Sequence, residues 1–134
     1  MDVEKEMKEF LRYLGRLYYV VLVTLLRHDI RCKIPVSTMF THGALNVVLS
    51  KPVIIGEHCY IGHNVTMGER YGGDNRCPRL EDHVIICPHC VLLGDICIGH
   101  HSIIGAGSVV LESCPPFSVM VGNPARVLNK KQRE

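Results

Sequence analysis

Residues 80–114 read LEDHVIICPHCVLLGDICIGHHSIIGAGSVVLESC, and the spacing within them decides the fold. An aliphatic residue recurs every six positions, at Leu80, Ile86, Leu92, Ile98, Ile104 and Val110. Upstream, the same period runs through Leu49, Ile55, Ile61 and Met67. Four residues after the aliphatic comes a small or β-branched residue, at Val53, Cys59, Val65, Val84, Cys90, Ile96, Ser102, Ser108 and Cys114. Gly follows directly in Ile55-Gly56, Ile61-Gly62, Met67-Gly68, Ile98-Gly99 and Ile104-Gly105. Neither the 3.6 period of a helix nor simple alternation fits these two ladders. Short strands joined at corners do, with one large and one small side chain inward per strand and Gly where the backbone turns tightly. A repeat of this kind makes a solenoid. The two phases of the aliphatic ladder differ by one residue, and the stretch between them, GERYGGDNRCPR, is polar and Gly-rich. It reads as a loop protruding from the solenoid at about 69–79.

Residues 1–30 form a separate segment, and 31–134 form the solenoid with a short C-terminal tail. Phe10 to Leu26, FLRYLGRLYYVVLVTLL, reads as a helix, preceded by the charged, helix-favouring MDVEKEMKE. Arg12, Gly15 and Arg16 interrupt it, and the uncharged run from Leu17 to Leu26 is too short to span a bilayer. Two readings stay open: packing on the rest of the protein or another subunit, and peripheral contact with a membrane surface. A chain of 134 residues fits one domain, and its net charge of +2, with cations scattered, gives no reason to expect nucleic acid. The seven Cys lack framework spacing and no cleavable signal is visible, so the expected compartment is reducing and cytoplasmic.

Ile104-Gly105-Ala106-Gly107-Ser108-Val109 and the ending Val121-Gly122-Asn123-Pro124-Ala125-Arg126 resemble the hexapeptide-repeat acyltransferases. The resemblance covers roughly Ile34 to Leu128. It implies a left-handed parallel β-helix of triangular cross-section and a homotrimer; crossover rules alone would give the opposite hand. Within that family, Phe40-Thr41-His42-Gly43-Ala44-Leu45-Asn46-Val47-Val48-Leu49 is similar to the F-x-H-N-x-x-G-V-V-I segment of serine acetyltransferases and polysaccharide O-acetyltransferases. Ile55-Gly56, Ile61-Gly62, Asn64-Val65-Thr66 and Met67-Gly68 match the I-G-x-x-x-x-I-G-x-N-V-T-[MIL]-G pattern that comes next in those enzymes.

The resemblance places the catalytic base on His42. Moving acetyl from a thioester to an alcohol requires removal of the hydroxyl proton, a task for an imidazole that titrates near neutrality. The resemblance also implies acetyl-CoA as co-substrate, held near Pro88, Gly105 and Ala106, with Arg126, Lys130 and Lys131 toward the nucleotide phosphates. For Lys130 and Lys131 a solvated chain end is an equal reading. Thr41, Arg76 and Arg79 are the candidate acceptor-binding residues. Two departures matter. Serine acetyltransferases carry Asp before the catalytic His and a second His in a loop motif R-H-P-K, where this chain has Thr41 and Arg76-Cys77-Pro78-Arg79. Their large helical N-terminal domain is also replaced by one helix. These differences favour a sugar hydroxyl, including one on a lipid-linked intermediate, over serine.

Three rival readings remain. Cys87-Pro88-His89-Cys90 has redox-motif spacing, but Cys90 takes the small inward slot and no thioredoxin-like pattern surrounds it. His58, His83, His89 and His101 share one slot, three residues after the aliphatic, pointing to solvent at a corner. The related γ-class carbonic anhydrases bind zinc through three His on this fold, and His58 and His63 have a compatible spacing, but the surrounding Asp, Arg and Gln pattern is missing; no metal is expected. An inactive scaffold is the third, and the flanks of His42 speak against it.

Overall fold

The structure is a computed structural model that describes residues 3–26 and 29–128, with side chains at 4–18 and 29–128. Three parallel sheets form the faces of a β-helix. Face one contains β1 (Asp29–Ile30), β3 (Val48–Leu49), β6 (Thr66–Gly68), β9 (Val91–Leu93) and β12 (Val109–Val110). Face two contains β4 (Ile54–Ile55), β7 (Arg79–Leu80) and β10 (Cys97–Ile98). Face three contains β2 (Met39–Phe40), β5 (Tyr60–Ile61), β8 (Ile85–Ile86), β11 (Ile103–Ile104), β13 (Val119–Gly122) and β14 (Ala125–Val127), the last pairing antiparallel with β13. The chain visits one, two, three and returns to one. A full coil takes eighteen residues where it is regular, so Val91 lies opposite Val109 and Ile85 opposite Ile103.

Strands of two or three residues are too short to hold alone; the rungs and the interior hold them. All ten residues of the aliphatic ladder are buried, eight of them at 0% exposure, and so is every residue of the small ladder. Where the small slot holds serine, its hydroxyl is paired: Ser108 Oγ donates to the Gly105 carbonyl at 2.6 Å, and Ser102 Oγ to that of Pro115 at 3.2 Å. The thiols of Cys59 and Cys90 donate to the carbonyls of Glu81 and Gly105 one coil on, at 3.2 and 3.1 Å. The interior therefore admits these polar atoms without leaving them unsatisfied.

The corners explain the histidine slot. His58, His83, His89 and His101 all adopt left-handed backbone, with φ between 56° and 62°. Asn64 (φ 55°) and Gly107 (φ 72°) occupy the same slot in the same conformation. The two–three and three–one corners place one left-handed residue in this slot, and Gly, Asn and His reach that region at least cost. Histidine recurs there for a backbone reason. Stacked coils then align the rings: His58 on His83 at 5.0 Å, His83 on His101 at 4.7 Å and His101 on Phe117 at 5.0 Å.

Two insertions break the period. Thirteen residues separate Thr66 from Arg79, where six separate Val91 from Cys97, so seven are inserted between faces one and two. The loop runs from residue 69 to 78; Arg79 already belongs to β7. Nine residues separate Met39 from Val48, where six separate Tyr60 from Thr66, so three are inserted between faces three and one.

The helix α1 spans Val3–Leu26 and leaves Met7, Phe10, Leu11, Leu14, Leu17 and Tyr18 exposed. No helix among the described residues is long and apolar enough to cross a membrane. The solenoid begins at β1, two residues before the boundary read from the sequence. Ile86→Ala is expected to lower the unfolding free energy by about 2–5 kcal/mol. Val36→Ala, at a fully exposed position, should change it by less than about 0.5 kcal/mol. Urea unfolding of the two variants checks the inward register.

Candidate active site

His42 lies in the three-residue insertion between faces three and one. Thr41–Ala44 form a short 3-10 segment in which His42 (φ 49°, ψ 36°) and Gly43 (φ 63°, ψ 34°) depart from helical geometry, and Ala44 also has positive φ. Three successive left-handed residues, two of them not Gly, cost roughly 1–2 kcal/mol each for the non-glycines. Such backbone concentrates where a site over-determines it. Its effect is to hold the His42 imidazole out at the corner, exposed, while Ala44 beneath it is buried.

Below His42 on the same corner lies His63, ring centroids 5.0 Å apart and planes at 84°. Below that lies His89, 5.2 Å from His63 at 77°. The His89 amide donates to the His63 carbonyl at 3.0 Å, and the Asn64 side-chain amide lies 3.3 Å from His89 Nε2. Two buried polar atoms here have no partner among the described residues: Thr41 Oγ1 and His63 Nδ1. Sequence reasoning noticed His63 only as a partner for His58 in a zinc site. The structure separates that pair, His63 lying at the three–one corner and His58 at the two–three corner.

Pro88, Gly105 and Ala106 share the corner of His42. A Cβ at Gly62 would meet the Pro88 nitrogen at 2.6 Å, and one at Gly105 would meet Val121 at 2.6 Å, so the coils stack there with no room to spare. Outward, Ala106 and Gly107 are exposed and nothing lies within 4 Å of a Cβ at Gly107, leaving an open ledge along the corner. Arg126, in β14, has a guanidinium nitrogen 3.7 Å from Glu112 and donates to its neighbour's carbonyl at 2.9 Å. Lys130 and Lys131 lie outside the described residues.

The acceptor candidates are divided. Thr41 is beside His42, whereas Arg76 and Arg79 are at the one–two corner, lining a groove of about 500 Å³ with Cys77. Arg76 Nε pairs with Asp74 at 3.3 Å. Within one chain, the strand order keeps these arginines on a different corner from His42. Cys77 is no substitute for a proton relay: burial pushes its thiol up, and the carboxylates of Glu69 and Asp74 push it further. Burial likewise pushes up the thiol of Cys90, which fills the small inward slot.

Comparison with known proteins agrees with this architecture. The family model "Bacterial transferase hexapeptide (six repeats)" matches residues 78–112. The Escherichia coli K12 protein whose name assigns it to colanic acid biosynthesis as the acetyltransferase WcaB is 35% identical over 112 residues, 83% of this chain and 69% of that protein. Soybean serine acetyltransferase complexed with serine superimposes with a TM-score of 0.65 at 40% identity, over 68% of this chain and 37% of that one. A serine acetyltransferase complexed with CoA gives 0.62 at 32%, over 68% and 37%. The chain thus spans well under half the length of these two serine enzymes. It belongs to the hexapeptide-repeat transferase family, and its β-helix is left-handed. Within that family it is an acetyltransferase.

The thiolate is the form that reacts with iodoacetamide, and a raised pKa leaves less of it at any pH below that pKa. Alkylation of Cys77 at pH 8 should therefore be slower than that of free cysteine and should speed up as pH rises further. Peptide mass spectrometry of a pH series reads this directly.

Proposed function

We propose that the chain is an acetyl-CoA-dependent O-acetyltransferase that transfers acetyl directly to a hydroxyl of a sugar or surface-polysaccharide precursor, with His42 as general base. The observation that carries this reading is His42 itself, an exposed imidazole on a left-handed insertion, at the corner that also carries the Pro88–Gly105–Ala106 ledge. In this mechanism the thioester lies along that ledge, and Arg126, Lys130 and Lys131 serve the nucleotide phosphates. His42 takes the hydroxyl proton as the oxygen attacks the thioester carbonyl. Backbone N–H groups stabilise the oxyanion. Collapse expels the thiolate of CoA, which recovers the proton from His42. The thioester is already activated, so no Ser or Cys nucleophile enters.

The separation of Arg76 and Arg79 from His42 supports a homotrimer with its active sites between subunits. The one–two corner of one copy, carrying the loop 69–78, then faces the three–one corner of the next and covers the acceptor. Transfer to serine is the second reading, favoured by the likeness to a serine-bound structure. Thr41 and Cys77 weigh against it, since both charged or imidazole partners of the serine enzymes are replaced. The exposed apolar residues of α1 support work at the inner face of a membrane, on a lipid-linked acceptor in the cytoplasm.

His42→Ala is expected to lower kcat by about 10²–10⁴ while leaving the trimer and acetyl-CoA binding intact. Steady-state thioester loss, gel filtration and calorimetry measure the three properties; undiminished turnover would overturn the assignment. Presented with L-serine and nucleotide sugars side by side, the wild-type protein should acetylate a sugar. Preference for serine would move the chain to the cysteine pathway.

A further inference from the structure

We propose that His63 supplies the second imidazole of this active site, as a positioning residue that holds the His42 ring and supports the charge His42 takes up. The proposal rests on the assignment of His42 as base. A base that accepts a proton becomes an imidazolium, and a neighbouring group that favours the charged form makes that step easier. The position before His42 holds Thr41, whose hydroxyl is buried and without a partner among the described residues. No ion pair among the described residues reaches His42. Cys77, where the serine enzymes carry their second His, is at another corner with its thiol pushed up.

The ring that does touch His42 is that of His63, edge to face at 5.0 Å and 84°. An edge-to-face pair fixes the two ring planes against each other, so the contact restrains the orientation of the His42 imidazole. The second observation is the Nδ1 atom of His63, buried and unpartnered among the described residues. A buried imidazole nitrogen left idle is costly, and one beside a reacting base has a use as hydrogen-bond acceptor or donor during the proton's transit.

The two rings also differ in how firmly the chain holds them. His63 stands at a corner without insertion, its carbonyl bonded by His89 at 3.0 Å and its ring backed by that of His89, which Asn64 steadies at 3.3 Å. His42, in contrast, rides on an insertion. The regular corner therefore provides the more firmly held side of the pair, as a supporting residue should.

Packing alone would make the same contact, so the test must separate ring from nitrogen. His63→Phe keeps the aromatic contact and removes both nitrogens; His63→Gln keeps hydrogen-bonding atoms and removes the ring. Turnover is followed as thioester loss from acetyl-CoA with UDP-glucose and with L-serine. His63→Phe should lower kcat about tenfold or more, a fraction of the loss from removing the base itself, with the KM for acetyl-CoA within about twofold. His63→Gln should retain more kcat than His63→Phe. Wild-type kcat in His63→Phe, or a Phe variant faster than the Gln variant, would overturn the proposal. Ring ¹H–¹⁵N spectra of the protein without acceptor give an independent reading. His63→Phe should shift the His42 ring signals, and identical His42 spectra would overturn the contact. His42→Ala distinguishes the two failures. Full turnover in His42→Ala removes the base assignment, whereas an inactive His42→Ala beside a fully active His63→Phe removes only the role of His63.

Discussion

The parallel rung between coils is the interaction on which everything else in this protein depends. Each short strand donates its amides to the strand one coil away, and that coil must bring the chain back in register. The requirement explains why the inward residues are large at one ladder and small at the other, and why the two–three and three–one corners hold residues that tolerate left-handed backbone. It also explains where the chain is free to vary. A corner lies between rungs, so residues inserted there lengthen the path without breaking the ladder. Both insertions are at corners, one carrying His42 and the other carrying Arg76 and Cys77. The chemistry-bearing residues sit where the scaffold allows irregularity, and the scaffold fixes their separation.

Under the proposed mechanism, that separation leaves one chain with an incomplete site. The triangular section puts His42 and the loop arginines on different corners of one chain. Assembly of the site between copies fits the geometry of the prism and the placement of the two insertions. The left hand of the helix is shared with the family.

Much of this was legible in the sequence, because a ladder of period six repeated along most of the chain has one structural meaning. Every residue of the two ladders is buried. The loop was visible as a phase slip, though the slip of one residue concealed an insertion of seven. The histidines were less legible. Spacing placed His58, His83 and His101 in one solvent-facing corner slot, and the left-handed corner conformation supplies the reason and stacks them in a column. The contact between His42 and His63 could not be read at all: their offset of twenty-one residues differs from the regular coil because His42 lies on its own insertion. That Arg76 and Arg79 lie, within one chain, at a different corner from Thr41 was likewise beyond residue type and is shown only by the order of the faces.

In the proposed enzyme acetyl-CoA lies along the corner shared by His42, Pro88, Gly105 and Ala106, between two copies of the chain. A crystal structure of the protein with CoA or a non-hydrolysable acetyl-CoA analogue tests that directly. The expected result has the sulfur or its replacement at the three–one corner beside the His42 ring, with the loop 69–78 of a neighbouring subunit opposite. A ligand seated instead against the His58–His83–His101 column, or bound wholly within one chain away from His42, would contradict it.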